Sequence, residues 1–533
     1  MRSRLLGVLP VVSLVMATAA SADVVIDWNG HALGAIRTDR TSPPKAARAL
    51  AIAQVSVYDA VNAIAGRPFE AYLVTTSPPG GASAEAAAAA AAHRALAALY
   101  PNQQADLDAK LVTSLAAIPD GPAETSGVAF GVAVADQVLA ARANDHASDI
   151  VAFEAPEGAS WWIPTPPAFA AALLPNWPRV IPWSLDSGAE LRPAAPPPPN
   201  SAEHTAALLE VQSLGSQSSA TRTADQTQIA LFWADGAGTA TPPGHWHLIA
   251  QSVSQDRHLT LLENARLFAL LGIAVADAAI VSWDAKYAYS CWRPVTAIRE
   301  ADHDGNPATA GDPAWNSLIA TPPFPAYTSG HSTFSSASAR VLSLFFGTDA
   351  VSFTTTSDAL PGVTRSFTSF SQAAAEAGQS RIYGGIHFQY DNQAGLATGR
   401  ALGEHVFFGD LGPRELPGTC IADATTLCLE GGRFRVRASF DTGTAKGQAQ
   451  AIPDGGVTGS FWFFHPDNTE LTIKVLNACG PFDRFWVFAS GLTNVEVTIK
   501  VTDTATGRVR RYFNPLGTSY KPVQDVSAFA TCP

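Results

Sequence analysis

The period of hydropathy changes once along these 533 residues, near Leu411, and no other feature limits the fold as strongly. Before it, apolar residues recur at helical spacing, as in Leu50, Val55, Val61 and Ile64, and alanine-dense stretches run through 84–99 and 128–141. Alanine has the highest helix propensity, so these stretches read as tightly packing helices. After it, RFRVRASF, GSFWFFH, ELTIKVL, RFWVFAS and VEVTIKVTD alternate apolar with polar residues between Gly, Asp and Asn turns. A two-residue alternation is the mark of strands with one buried face. The expectation is a mainly α chain with a helical body over 23–412, a linker over 413–429 and a small antiparallel β module over 430–533, sandwich-like in build.

The first 22 residues carry Arg2 and Arg4, an apolar run over 5–17 and the small-residue pattern Ala20, Ser21, Ala22. That order is the pattern of a secretory signal, too short to span a bilayer as an anchor. An exported protein, periplasmic or extracellular, is expected, with no transmembrane segment after cleavage. The apolar run over 267–281 is interrupted by Asp277 and suits a buried helix. A formal net charge of −12 with no long Lys/Arg cluster argues against nucleic acid, whose phosphates need a basic stripe. Four of the five cysteines follow residue 415. An oxidising compartment permits disulfides, and Cys420 with Cys428 and Cys479 with Cys532 is the simplest of three pairings, leaving Cys291 free.

Between Pro156 and Pro199 stand 12 prolines and Trp161, Trp162, Trp177 and Trp183, which exclude long helices and read as an ordered wrapping loop. Helical pattern resumes at Ala202 and continues to about Gly409. Chemistry concentrates between Trp283 and Asp391. In WDAKYAYSCWRP, Lys286 and Arg293 are seven residues apart. On one unbroken helix they share a face at about 10 Å along the axis. The surrounding aromatics predict burial, and a buried cation needs a partner. In PPFPAYTSGHSTF, a proline-stiffened entry meets Ser329, Gly330 and His331 as a helix begins. Free backbone N–H groups and the helix dipole favour an anion there, and Gly330 lets the backbone come close. In QSRIYGGIHFQYDN, Gly384 and Gly385 break the helix so that His387 can turn back toward Arg381, and Asp391 reads as the N-cap of the next helix.

Taken jointly, Lys286 with Arg293-Pro294, then Ser329-Gly330-His331, then Ser380-Arg381 with His387 and Asp391 resemble the three-part signature of the vanadium-dependent haloperoxidases and the related type 2 phosphatidic acid phosphatases. The resemblance is specific over 283–409 and looser back to about residue 40. The proline-rich insert and RTADQTQIALFWADG resemble the bacterial haloperoxidase-like branch. Thr328 departs from the proline usual in the family, without removing a ligand. The β module is outside the familiar pattern.

The resemblance implies a haloperoxidase-like helical bundle with vanadate as cofactor, phosphate being able to occupy the same site. Lys286, Arg293 and Arg381 neutralise the oxyanion, Ser329 and the Gly330 amide donate to it, His387 is the apical metal ligand, and His331 is the acid–base group. Three cations beside helix-start donors make a preorganised trianion hole. Vanadate there implies halide oxidation by hydrogen peroxide to hypohalous acid, delivered to a small organic acceptor, with Lys286 polarising the bound peroxide. The alternative is a secreted acid phosphatase in which His387 is the nucleophile and His331 protonates the leaving group. A third reading is a surface-binding protein whose β module acts while the helical body is inactive. Trp283 and Phe324 flank the halide side in this resemblance, where bromide-preferring relatives tend to carry histidine in place of Phe324. Asp225 falls where the resemblance suggests a second carboxylate orienting Arg381. Asp302, Asp304 and Asn306 read as a polar turn, and His245 and His247 lack an identifiable third ligand, so neither group is assigned a metal.

Overall fold

A computed structural model describes residues 23–154, 156 and 160–533; the leader read at 1–22 lies outside the described residues. The body begins with α1 (Val24–Asp39), α2 (Pro43–Ile64), α3 (Ala84–Leu99), α4 (Gln104–Leu115) and α5 (Pro122–Ala141). Alanine lets α3 and α5 approach closely. A Cβ added to Gly131 of α5 would stand 2.2 Å from the Ala87 carbonyl oxygen of α3. After the proline-rich insert come α6 (Ala202–Leu214), α7 (Ala224–Phe232), α8 (Thr241–Asp256), α9 (Leu261–Tyr289) and α10 (Pro294–Arg299). The last part holds α11 (Gly330–Phe346), a hairpin of β1 (Phe353–Thr356) and β2 (Thr364–Phe367), α12 (Phe370–Tyr383) and α13 (Gln389–Gly409).

The central pillar is α9. A capping box at Thr260 and Glu263 starts it, contributing about 1 kcal/mol. Its composition and length would let it cross a membrane, yet 94% of its most apolar window is buried in the protein. It is a core helix, apolar on every side because other helices surround it. Its one mid-helix charge, Asp277, accepts from the backbone N–H groups of Trp183 (2.7 Å), Ser184 (2.8 Å) and Leu185 (3.3 Å). That carboxylate ties the proline-rich insert to the core.

Beyond the body, β3 (Leu427–Leu429), β4 (Phe434–Asp441), β5 (Lys446–Gln448), β6 (Gln450–Pro453), β7 (Thr458–Trp462), β8 (Leu471–Asn477), β9 (Phe485–Gly491), β10 (Glu496–Asp503), β11 (Val509–Asn514) and β12 (Val523–Phe529) form two antiparallel sheets. One runs β11-β10-β4-β3 with β5 added at β4, the other β12-β9-β8-β7-β6. Alternate residues such as Val436, Ile473, Val487 and Ile499 fill the space between them, giving the module its own core. Disulfides join Cys420 to Cys428 and Cys479 to Cys532, and Cys291 is free. Phe408 of α13 stacks on Phe513 of β11 at 4.5 Å, so the sandwich rests on the helix that leads into the functional site.

Candidate oxyanion site

Three helix boundaries meet at one point and bring the singled-out residues together. The first is the end of α9. Ser290 takes a left-handed conformation (φ 44°) and stops the helix, and Arg293 is the N-cap of α10. Lys286 and Arg293 therefore do not share a helix face, as the seven-residue spacing suggested. The turn between them folds Arg293 back, and both side chains reach the strand-like entry to α11. The Lys286 ammonium donates to the carbonyls of Pro325 (3.0 Å), Ala326 (2.9 Å) and Thr328. Arg293 Nε donates to the Phe324 carbonyl at 2.7 Å.

The second boundary is the start of α11, where Ser329 is the N-cap and accepts from the Ser332 amide at 3.3 Å. The Ser332 hydroxyl donates to Asn392 Oδ1 (2.8 Å) and stands 2.8 Å from Ser329 Oγ. Gly330 opens the helix, but a Cβ there would make only ordinary contacts with Phe334, Trp283 and Ser282. The close approach is made instead by α13, where a Cβ on Gly399 would lie 2.3 Å from the Thr333 carbonyl oxygen.

The third boundary separates α12 from α13. Gly385, at φ 80°, turns the chain so that His387 points inward, its Nε2 3.1 Å from Arg293 Nη1. Asp391 is not the N-cap of α13. Phe388 holds that position, and Asp391 sits at N3, accepting from the Phe388 amide at 3.0 Å and lying 2.9 Å from His387 Nδ1. A helix-start carboxylate thereby doubles as the partner that fixes the imidazole, leaving Nε2 as the acceptor face.

Water has little access: Lys286 and Arg293 are 0% exposed, and Arg381 and His387 2%. Burial pulls the Arg293 guanidinium down to about 9 and Arg381 to about 10, and holds Lys286 well below its ordinary range. Burial and the charges of Arg293, Lys286 and Arg381 hold His387 far below the usual imidazole value, and burial with Arg381 does the same to His331. Both imidazoles are therefore neutral at ordinary pH. Burial pushes Asp391, the carboxyl beside His387, up to about 7.

Among the described residues, Arg293 Nη2, Arg381 Nε and His331 Nε2 have no protein partner. Leaving buried polar atoms unmatched costs roughly 1–3 kcal/mol each, which selection tolerates where a ligand completes them. Both unmatched guanidinium atoms belong to buried cations, so the group that would complete them is an anion. The aromatic wall fits as well. Trp283 and Phe324 rings lie 4.8 Å apart, and Phe324 stands 5.0 Å from Lys286 Nζ and 4.8 Å from Arg293 Cζ.

Asp225 is not next to Arg381. It is exposed and pairs with Arg365 at 2.9 Å. Arg365 grips Glu376 (2.6 Å), Glu376 accepts from the Trp233 indole (3.0 Å), and the Trp233 carbonyl accepts from Arg381 Nη1 (2.9 Å). Asp225 thus stands at the outer end of a chain that reaches Arg381. The carboxylate whose charge reaches Arg381 is Asp235, ten residues on in the same motif. Its aspartate in a WADG turn was the available signal. Asp304 and Asn306 bond within their own turn and to Thr205, and His247 bonds Asn29. Among the described residues no group of three His, Cys, Asp or Glu is placed to hold a metal ion.

The helical body has a fold like that of the vanadium haloperoxidases. Residues 266–408 match the VCPO second helical-bundle domain. The chain is 38% identical over 133 residues to the vanadium chloroperoxidase of Curvularia inaequalis, a match spanning 21% of this chain and 21% of that protein's length. Among solved structures, a bacterial vanadium-dependent iodoperoxidase superposes with a TM-score of 0.64 at 29% identity, covering 72% of this chain and 94% of that one. A holo-type bacterial vanadium-dependent chloroperoxidase shares the fold at a TM-score of 0.54 and 18% identity, over 69% and 92% of the two chains.

Proposed function

We propose that the protein is a vanadate-dependent haloperoxidase that oxidises halide with hydrogen peroxide to hypohalous acid, passed on to a small organic acceptor. The observation that carries this reading is the pair of unmatched guanidinium donors, Arg293 Nη2 and Arg381 Nε, buried beside His387 and His331. The related iodoperoxidase and chloroperoxidases support the same chemistry. Arg293, Arg381 and the Ser329–Gly330 helix start would hold vanadate, and His387 would ligate it through Nε2. Bound vanadate supplies a Lewis-acidic centre that activates peroxide without changing oxidation state.

The protein groups divide the remaining work. His387 Nε2 stays unprotonated because burial and the charges of Arg293, Lys286 and Arg381 disfavour a second proton, while Asp391 orients the ring through Nδ1. His331 has Nε2 without a partner among the described residues and a proton affinity kept low by burial and Arg381, so a proton it takes up is released readily. Lys286, with three carbonyl acceptors already engaged, contributes its charge and pins the 325–328 turn. Trp283 and Phe324 keep water away from the reacting side and offer an apolar wall suited to a weakly hydrated halide. The two disulfides favour an exported setting for this reaction, with the β module free to bind a surface.

The test is protein prepared without phosphate, loaded with orthovanadate and given peroxide, bromide and a phenolic dye. Halogenation is expected, lost in His331→Ala with orthovanadate binding retained, and altered in halide preference by Phe324→His. Phosphomonoester hydrolysis without vanadate, accompanied by no halogenation, would instead select the phosphatase reading.

A further inference from the structure

The turn that follows α7 holds Arg381 through the Trp233 carbonyl and is clamped from three sides. The Trp233 indole is held by Glu376, and its ring stacks on His245 with centroids 4.6 Å apart and planes at 24°. Asp235 takes the left-handed conformation (φ 43°) unusual for a residue with a side chain. Its carboxylate lies 3.1 and 3.3 Å from His245 Nδ1, and His245 Nε2 lies 3.1 Å from Thr355 Oγ1 on β1. Both Asp235 (4% exposed) and His245 (2%) are buried.

A buried carboxylate with Arg381 in range of its charge has an obvious alternative partner, the guanidinium itself. No ion pair joins Asp235 to Arg381 among the described residues; the carboxylate is spent on His245, and Arg381 Nε stays unmatched. We propose that His245 is a positioning residue that competes with Arg381 for Asp235, keeping the Arg381 donor free for the oxyanion while the Trp233 carbonyl holds the guanidinium in place. The inference rests on the oxyanion reading of the site. In it, Thr355 and the Trp233 ring fix the imidazole so that Nδ1 faces the carboxylate, and Asp235 contributes negative potential without occupying the donor.

Competition of this kind predicts rescue, which a merely structural histidine does not. Orthovanadate and, separately, inorganic phosphate are titrated calorimetrically into the full chain in otherwise phosphate-free buffer, for the wild type, His245→Phe, Asp235→Asn and the double variant. His245→Phe keeps the ring against Trp233 but removes the donor, so Asp235 turns to Arg381 and affinity falls about 10-fold or more. The double variant has no carboxylate to capture Arg381 and returns to within about threefold of Asp235→Asn alone. His245→Asn, which retains a donor at the Nδ1 position, stays within about threefold of the wild type and serves if the Phe variant does not fold. Wild-type affinity in His245→Phe, a double variant as weak as His245→Phe, or a large loss in folded His245→Asn overturns the competition alone. Failure of the wild type to bind either anion overturns the site reading along with it.

Discussion

Asp59 and Asp277 are as thoroughly buried as the cations of the oxyanion site, yet the two kinds of place are finished differently. Asp59 accepts from the amides of Tyr72 (2.8 Å), Leu73 (2.9 Å) and Val74 (2.8 Å), and Asp277 from three amides of the proline-rich insert. Each is a carboxyl whose hydrogen bonds close within the protein, fastening a loop that has no helix or sheet to hold it. In the site, Arg293 Nη2 and Arg381 Nε have no acceptor among the described residues, and Asp391 and Asp235 are the carboxylates whose charges reach the cations. Burial alone does not distinguish architecture from chemistry. What sets the site apart is that its unmatched atoms belong to neighbouring cations and a histidine.

This contrast can be broken by substitution. The largest effect belongs to Asp277→Ala, which strands three amides and is expected to lower unfolding free energy by about 4 kcal/mol in denaturant titrations. Its affinity for orthovanadate should stay at the wild-type value. Arg381→Met reverses the pattern. It removes one bond to the Trp233 carbonyl but relieves repulsion with Arg293, so stability without anion is expected to stay within about 1 kcal/mol, while orthovanadate affinity falls about 30-fold. Equal stability losses in both variants would erase the distinction.

A smaller effect follows from pH. Burial raises Asp277 to about 6, above its unfolded value, so its protonated form is favoured in the fold. Its stabilising contribution is complete below about pH 4 and lost as the pH rises through about 6. The stability advantage of the wild type over Asp277→Asn should therefore shrink by about 1 kcal/mol between pH 5 and 7. A constant difference across that range would mean that Asp277 is ionised throughout.

The sequence carried the fold well where a period was strong. The α9 stretch, the alanine-rich helices and the alternation after residue 430 are local signals, and each became the element expected. The β1–β2 hairpin was not legible, being two four-residue strands inside a helical run. Within the site, residue types and order were legible as a joint pattern, but angular relations were not. A seven-residue spacing implied a shared helix face for Lys286 and Arg293 until Ser290 ended the helix. Asp225 and Asp235 occupy one motif, and only the turn after α7 decides which carboxylate faces inward. Asp391 read as a cap because capping residues and histidine partners are the same residue types, and here one side chain does both.

Calorimetric titration of orthovanadate into phosphate-free protein tests most directly whether the unmatched donors form an oxyanion hole with a histidine ligand. The account predicts one site per chain, displaced by phosphate, with affinity in His387→Ala reduced more than about 100-fold to a weak, salt-sensitive remainder. Absence of binding in the wild type, or equal affinity in the wild type and His387→Ala, would contradict it.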